Sequence, residues 1–255
     1  MNKFGWAYIG CGGIAHTTAK ELIQTEDNQI VAVWNRTKEK AEEFVEAYGG
    51  TVYDTPEEAI NAAGVEGVYV NVNGDMHAEY TLLALQNKKP VLCEKPFTVN
   101  AEKSKELFDY AKETNTYVSE AMWTWHNETA FQVREWIKSG VIGEIQSVDC
   151  AFMVPLLKFT DNPRLTTPSM LGGALLDLGV YAIRYCYELF GNPDSIECVG
   201  EMGEVDYGET ITFRYPDFPA KMRISMTEEG EEYFEIQGTK GSIYVPQFHA
   251  SKRAT

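Results

Sequence analysis

The stretch Gly10-Cys11-Gly12-Gly13-Ile14-Ala15 constrains this chain more than any other. It follows a short apolar run, Trp6-Ala7-Tyr8-Ile9, and opens a segment of helical character from Ile14 to Gln24. Gly10 permits a tight turn out of a strand. The bare Cα of Gly12 lets the backbone approach a pyrophosphate, and Ala15 is small enough for close helix–strand packing. The helix that follows turns its unsatisfied N–H groups and positive dipole end toward the phosphates. A second apolar run, Ile30 to Trp34, comes about 20 residues later, the spacing of a dinucleotide fold. The pattern predicts a nicotinamide dinucleotide site over Gly10, Cys11, Gly12, Gly13, Ile14 and Ala15. The competing reading is an ordinary strand–helix turn that binds nothing.

The rest of the first half extends that pattern. Lys38 to Tyr48 has helical spacing and stops at Gly49-Gly50. Thr55-Pro56-Glu57-Glu58 reads as a capped helix start, with proline in the first helical position. Short runs at Thr51–Tyr53, Val68–Val70, Pro90–Cys93 and Tyr117–Ser119 read as strands, and His77–Asn87 and Ala101–Thr114 as helices. Strands alternating with helices imply an α/β Rossmann-type domain with a parallel sheet, covered on both faces, over residues 1–120. After that the pattern changes. Two helices are predicted, Glu128–Ser139 and Asp177–Phe190. Six strand-like runs accompany them: Ile145–Phe152, Ser195–Met202, Thr210–Tyr215, Lys221–Met226, Tyr233–Gln237 and Ser242–Val245, with Thr239-Lys240-Gly241 as a hairpin turn. Residues 121–255 therefore read as an α+β domain with a mainly antiparallel open sheet.

A net charge of −16 over 255 residues argues against nucleic acid and anionic membranes as partners, since both reward a basic face. No run has the length of a membrane-spanning helix, and the N-terminal residues read as strand rather than signal peptide. Five cysteines, widely spaced, suggest reduced thiols and a cytoplasmic location. The four histidines are scattered, and no metal site is expected.

Chemistry-bearing residues fall at predicted strand ends, where ligands bind in an open α/β sheet. The second strand ends at Trp34-Asn35-Arg36-Thr37. An NAD-restricted site places Asp or Glu here. Asn35 would not repel a 2′-phosphate, and Arg36 offers planar donors suited to one, with Thr37 and Lys38 as further contacts. NADP(H) is therefore favoured and NAD(H) kept open, the alternative being a solvated Arg36 with NAD held by backbone groups. The fifth strand runs into Cys93-Glu94-Lys95-Pro96, where proline restricts the backbone of Lys95 and allows a cis peptide. Lys95 reads either as a group that polarises a carbonyl or hydroxyl beside nicotinamide, or as a surface charge. In Gly172-Gly173-Ala174-Leu175-Leu176-Asp177-Leu178-Gly179-Val180-Tyr181, Asp177 and Tyr181 share a helix face. They are candidates for gripping a diol and moving its proton, against the reading of a helix-start acid and a core tyrosine.

The glycine loop, Glu94-Lys95-Pro96 and the Asp177/Tyr181 segment together resemble the glucose–fructose oxidoreductase/inositol dehydrogenase (Gfo/Idh/MocA) family over nearly the whole chain. Tyr181 where most members carry histidine, with Glu120-Ala121-Met122-Trp123-Thr124, is similar to the branch of dimeric dihydrodiol dehydrogenases and NADP-dependent D-xylose dehydrogenases. The resemblance implies catalytic Lys95, Tyr181 and Asp177, Glu94 on the nicotinamide ribose and His77 near the cofactor, with helix capping as the alternative for His77. Trp123, Trp125 and Asp177 would line a substrate pocket. It further implies hydride transfer between NADP(H) and a sugar, polyol or cyclic diol, and a homodimer or higher homo-oligomer through the open sheet. A non-catalytic NADP(H) sensor and an imine or tetrapyrrole-like reductase are the alternatives. Three departures stand out: Val72-Asn73-Gly74 in place of Thr-Pro-Asn, Trp125-His126-Asn127 after the Trp-Thr pair, and an end at Thr255 where relatives continue, which suggests a shortened second domain.

Overall fold

The computed structural model describes residues 3–255. The chain divides into two compact units, one ending at Ala121 and the other beginning at Met122.

In the first unit, strands and helices alternate: β1 (Phe4–Ile9), α1 (Gly13–Leu22), β2 (Asn28–Trp34), α2 (Lys38–Tyr48), β3 (Thr51–Val52), α3 (Pro56–Ile60), β4 (Gly67–Val70), α4 (His77–Gln86), β5 (Val91–Cys93), α5 (Ala101–Glu113) and β6 (Val118–Glu120). The six strands form one parallel sheet in the order β3-β2-β1-β4-β5-β6. Successive strand side chains point to opposite faces. Ala7 and Ile9 join one core cluster with Val68, Val70, Val91 and Cys93, while Tyr8 and Tyr69 join the other with Ala15 and Phe44. That two-sided burial is why these strands read as continuous apolar runs. At α3, Thr55 and Glu58 form the reciprocal capping box, with proline in the first turn.

The second unit comprises α6 (Glu128–Ser139), β7 (Ile145–Met153), α7 (Leu156–Phe159), a π-helical turn (Leu175–Gly179) leading into α8 (Val180–Phe190), and then β8 (Ser195–Met202), β9 (Asp206–Arg214), β10 (Pro219–Ser225), β11 (Glu232–Gly238) and β12 (Ser242–Pro246). Its sheet runs β12-β11-β7-β10-β9-β8. All pairs are antiparallel except β7–β10, so the sheet is mixed, mostly antiparallel. The parallel pair joins strands far apart in the chain, so no local pattern marks it. The helix expected from Asp177 starts earlier, as the π-helical turn. One sheet face carries Val148, Cys150, Phe152, Ile211, Met222, Phe234 and Ile236 into a core shared with α6 and α8. The other is polar: Arg223 holds Asp149 through two nitrogens at 2.9 and 3.1 Å, and the Tyr233 hydroxyl also meets Asp149.

Glu209 breaks this alternation. It lies on the core side of β9, 7 % exposed, and neither carboxyl oxygen has a hydrogen-bond partner among the described residues. Burial, and then the neighbouring Asp206 charge, push its pKa up to about 8. Asp206 itself accepts the Leu175 N–H at 2.5 Å. All five cysteines are unpaired. Among the described residues no helix is long and apolar enough to cross a membrane, and no cluster of three His, Cys, Asp or Glu is arranged for a metal.

A carboxyl whose pKa is raised on folding binds its proton more tightly in the folded state. Stability is therefore lost as pH rises from the unfolded value toward about 8. Glu209→Gln removes that loss. Its melting temperature should match wild type near pH 4 and exceed it by about 5 °C at pH 8. Thermal melts across that range check this, and parallel curves would refute it.

Candidate active site

The first unit gathers its polar residues at the carboxyl edge of the parallel sheet. Strand order reverses between β1 and β4, which opens a crevice at their ends. There Gly10 turns with φ +102°, and a β-carbon on it would lie 2.7–2.8 Å from the backbone of Asn71 and Val72. The space over the next two residues is open: a β-carbon on Gly12 would meet only the Asn71 carbonyl, at 3.9 Å, and one on Gly13 nothing within 4 Å. Gly12 is the N-cap of α1, with no side chain capping the helix and no acid in its first turn. Open space, uncapped N–H groups and no competing carboxylate fit the pyrophosphate of a dinucleotide. Ile14 is half-buried, and Ala15 is fully buried under the helix. Burial pushes the Cys11 thiol up to about 12, so Cys11 is a packing residue there, not a nucleophile.

Asn35 has a structural task. Its Oδ1 accepts the Cys11 N–H at 3.0 Å and its Nδ2 donates to the Thr37 carbonyl at 2.9 Å, tying the glycine loop to the end of β2. Arg36 and Thr37 are exposed beside it, and Lys38 pairs with Asp54 at 2.6 Å. No carboxylate follows β2 directly, which leaves that position open to a 2′-phosphate.

Lys95 stands two residues beyond β5 on the same edge, half-buried, with a cis bond to Pro96. The backbone around it is braced from three directions. The Lys95 N–H donates to Glu94 Oε2 at 3.3 Å, the Phe97 N–H donates to Glu120 Oε1 at 2.9 Å, and the Pro96 carbonyl meets His77 Nδ1 at 2.8 Å. Glu94 is itself buried, its Oε1 accepting from the Tyr69 hydroxyl. Burial raises the Glu94 pKa, and the Tyr69 and Lys95 donors pull it back. Glu94, expected on the nicotinamide ribose, thus also acts as an internal strut of this edge. His77 also braces this edge. It is 2 % exposed, and its other nitrogen lies 3.1 Å from the Val72 carbonyl, so it ties together the loops after β4 and β5. Burial lowers its pKa, and a neutral ring donates to one of the two carbonyls.

In the second unit, Asp177 lies in the π-helical turn and Tyr181 in the first turn of α8, both buried. Arg164 donates to Asp177 Oδ1 at 2.8 Å. That approach depends on Gly172, because a β-carbon there would fall 2.6 Å from the Arg164 carbonyl oxygen. The Tyr181 ring lies among Phe152, 6.1 Å away, and His249, 5.7 Å away, with Trp123 a further 6.3 Å from His249. Trp123 is 43 % exposed and free to form a wall. Trp125 is packed inside: it is 5 % exposed, set edge-on to Tyr185 and under the Arg134 guanidinium at 4.4 Å. Sequence reading missed Arg164, Phe152, Glu232 and His249 because no spacing links them to Tyr181.

Residues 4–122 match the family described as "Oxidoreductase family, NAD-binding Rossmann fold", and residues 131–244 match the "GFO/IDH/MocA C-terminal domain". The chain belongs to the Gfo/Idh/MocA oxidoreductase family. It is 29 % identical over 253 residues to a trans-1,2-dihydrobenzene-1,2-diol dehydrogenase of Mus musculus, covering 96 % of this chain and 75 % of that protein. It is 34 % identical over 203 residues to the NADP-dependent D-xylose 1-dehydrogenase of Hypocrea jecorina, covering 72 % of this chain and 52 % of that one. Among solved structures, the 3-ketoreductase KijD10 of Actinomadura kijaniata with NADP and TDP-benzene superposes with a TM-score of 0.87 at 27 % identity, over 98 % of this chain and 78 % of that one. Gfo/Idh/MocA members thus share this chain's two-part architecture.

Removing the Tyr69 hydroxyl strands a buried carboxylate. Tyr69→Phe should lower stability by roughly 1–3 kcal/mol, read as a lower urea midpoint with unchanged slope. An unchanged midpoint would show that the Tyr69–Glu94 bond is not a strut.

Proposed function

We propose that the chain is an NADP-preferring dehydrogenase/reductase that moves a hydride between nicotinamide and the hydroxyl- or carbonyl-bearing carbon of a sugar, polyol or cyclic diol. The observation that carries this reading is one edge of one sheet: an open glycine cradle at the β1/β4 crevice and a braced lysine beyond β5. The names of its relatives, a dihydrodiol dehydrogenase and a D-xylose dehydrogenase, support the substrate class. When bound, the dinucleotide supplies or accepts the hydride. The backbone from Gly10 to Gly13 and the start of α1 would hold its pyrophosphate, and Arg36 would meet a 2′-phosphate.

The chain's own residues supply orientation and proton handling. In oxidation, Tyr181 takes the hydroxyl proton, Lys95 stabilises the charge that develops on the substrate oxygen, and Asp177, held by Arg164, accepts a hydrogen bond from an adjacent hydroxyl. In this reading the first unit is the dinucleotide-binding domain, and the second is the substrate and assembly domain. The exposed β8, with Ile196, Val199 and Met202 bare, supports a homo-oligomer through the open sheet. Unpaired cysteines support a cytoplasmic setting.

NADPH fluorescence titration, followed by a panel of pentoses, hexoses, inositols and diketones, tests the reading. Turnover of at least one class is expected, and tight NADPH binding with no turnover anywhere in the panel would overturn it. Lys95→Met should lower kcat by about 10²-fold or more while NADPH affinity stays within about threefold. A kcat within threefold of wild type would remove Lys95 from the chemistry.

A further inference from the structure

His249 belongs to a one-turn helix, Phe248–Ala250, which follows β12. Nothing in its sequence neighbourhood marks it, yet it is held more tightly than its half-buried state requires. Its ring Nδ1 bonds to Glu232 Oε1, and its backbone N–H reaches the same oxygen at 3.3 Å. Its carbonyl accepts from Thr124 Oγ1 at 2.7 Å, and the Gln247 N–H before it donates to the Glu232 carbonyl at 2.8 Å. The ring stacks on Phe152 at 4.9 Å and 20°, and stands 5.7 Å from the Tyr181 ring.

This arrangement fixes both the plane and the tautomer of the imidazole. A carboxylate on Nδ1 keeps a proton on that nitrogen, so Nε2 of the neutral ring is an acceptor. Among the described residues Nε2 has no hydrogen-bond partner, and the side chain is 29 % exposed. Stacking alone would be met by any flat apolar ring on Phe152. A carboxylate 15 % exposed and committed to orienting an imidazole needs a further reason. A histidine held this way is a pre-oriented hydrogen-bonding group whose ring stands 5.7 Å from that of Tyr181.

We propose that the Glu232–His249 pair is a hydroxyl-recognition subsite, in which His249 Nε2 accepts a hydrogen bond from a substrate hydroxyl beyond both the one that reacts and the adjacent one that bonds Asp177. This rests on the redox reading and narrows its substrate class to polyhydroxylated sugars and polyols over simple diols, which carry no further hydroxyl to fill the subsite. A site built to bond a hydroxyl discriminates against the analogue that lacks it, because its own polar group is then left unpaired.

The test compares D-xylose and myo-inositol with trans-cyclohexane-1,2-diol. His249→Phe keeps the stacked ring and removes the acceptor. Its kcat/KM for the better polyol should fall about 10- to 100-fold, with the simple diol and NADPH affinity changed less than threefold. His249→Gln, which restores an acceptor, should recover part of the loss. Glu232→Gln should lose polyol activity in the same direction, and carries the comparison if the phenylalanine variant does not fold. Equal losses on polyol and diol, or no loss on either, overturn the subsite. A readout independent of turnover is the His249 imidazole resonance, assigned by its absence from either His249 variant, followed while each polyol is added. Movement with no turnover anywhere in the panel above supports the subsite and sinks the redox reading. Turnover without movement sinks the subsite alone, and no movement with no turnover anywhere in the panel sinks both.

Discussion

Three strand ends are tied together at Gly10. Its N–H donates to the Trp34 carbonyl at 2.8 Å, the Ile9 carbonyl accepts from the Asn71 N–H at 2.7 Å, and its own turn presses against the Asn71 backbone. With φ at +102° and no room for a β-carbon, only glycine closes this junction without strain. The glycine cradle of the first unit follows from it. The turn aims Cys11 at Asn35, starts α1 over the crevice and leaves Gly12 and Gly13 uncovered. A side chain at position 10 would push β1 and β4 apart at the place where the parallel sheet must be tightest.

A second form of order runs along the same edge. The loops after β4, β5 and β6 are joined through buried polar side chains, not apolar contact. Tyr69 meets Glu94, Glu94 meets the Lys95 N–H, His77 spans Val72 and Pro96, and Glu120 holds Phe97. Each bond contributes modestly, about 1 kcal/mol, but an unmade one inside the protein costs more. Such a network is therefore nearly all-or-none. Its consequence is that Lys95 sits on backbone with little freedom left to lose. A charged group fixed before substrate arrives costs less reorganisation when charge develops.

What the sequence made legible was local. The capping box at Thr55, the glycine stop after Tyr48, and the strand–glycine–helix start of the chain are each written within a few neighbouring residues. The features that escaped it are set by partners far away in the chain. The parallel β7–β10 pair depends on where β10 lands, and the burial of Trp125 against the exposure of Trp123 depends on a single 3₁₀ turn. The bonds of Glu94 to Tyr69 and of His77 to Val72 and Pro96 likewise join separate strand ends, which no local pattern marks. Arg164 and His249 carried no signal at all, since an ion pair or a stacked ring has no sequence period.

The second unit shows two outcomes of burying a carboxyl in a chain with 38 acids and 22 strong bases. Asp177 has been given an arginine, brought close by a glycine that lets the Arg164–Leu165 backbone pass. A guanidinium compensates the lost hydration of the carboxylate and fixes its direction, leaving an oriented anion beside Tyr181. Glu209 sits under the same π-helical turn with no cation beside it among the described residues, and holds a proton instead. The two carboxyls thus differ in their surroundings: Arg164 stands against Asp177, while neither oxygen of Glu209 has a hydrogen-bond partner among the described residues. The position of Arg164 fixes the direction in which the Asp177 carboxyl points toward a hydroxyl donor.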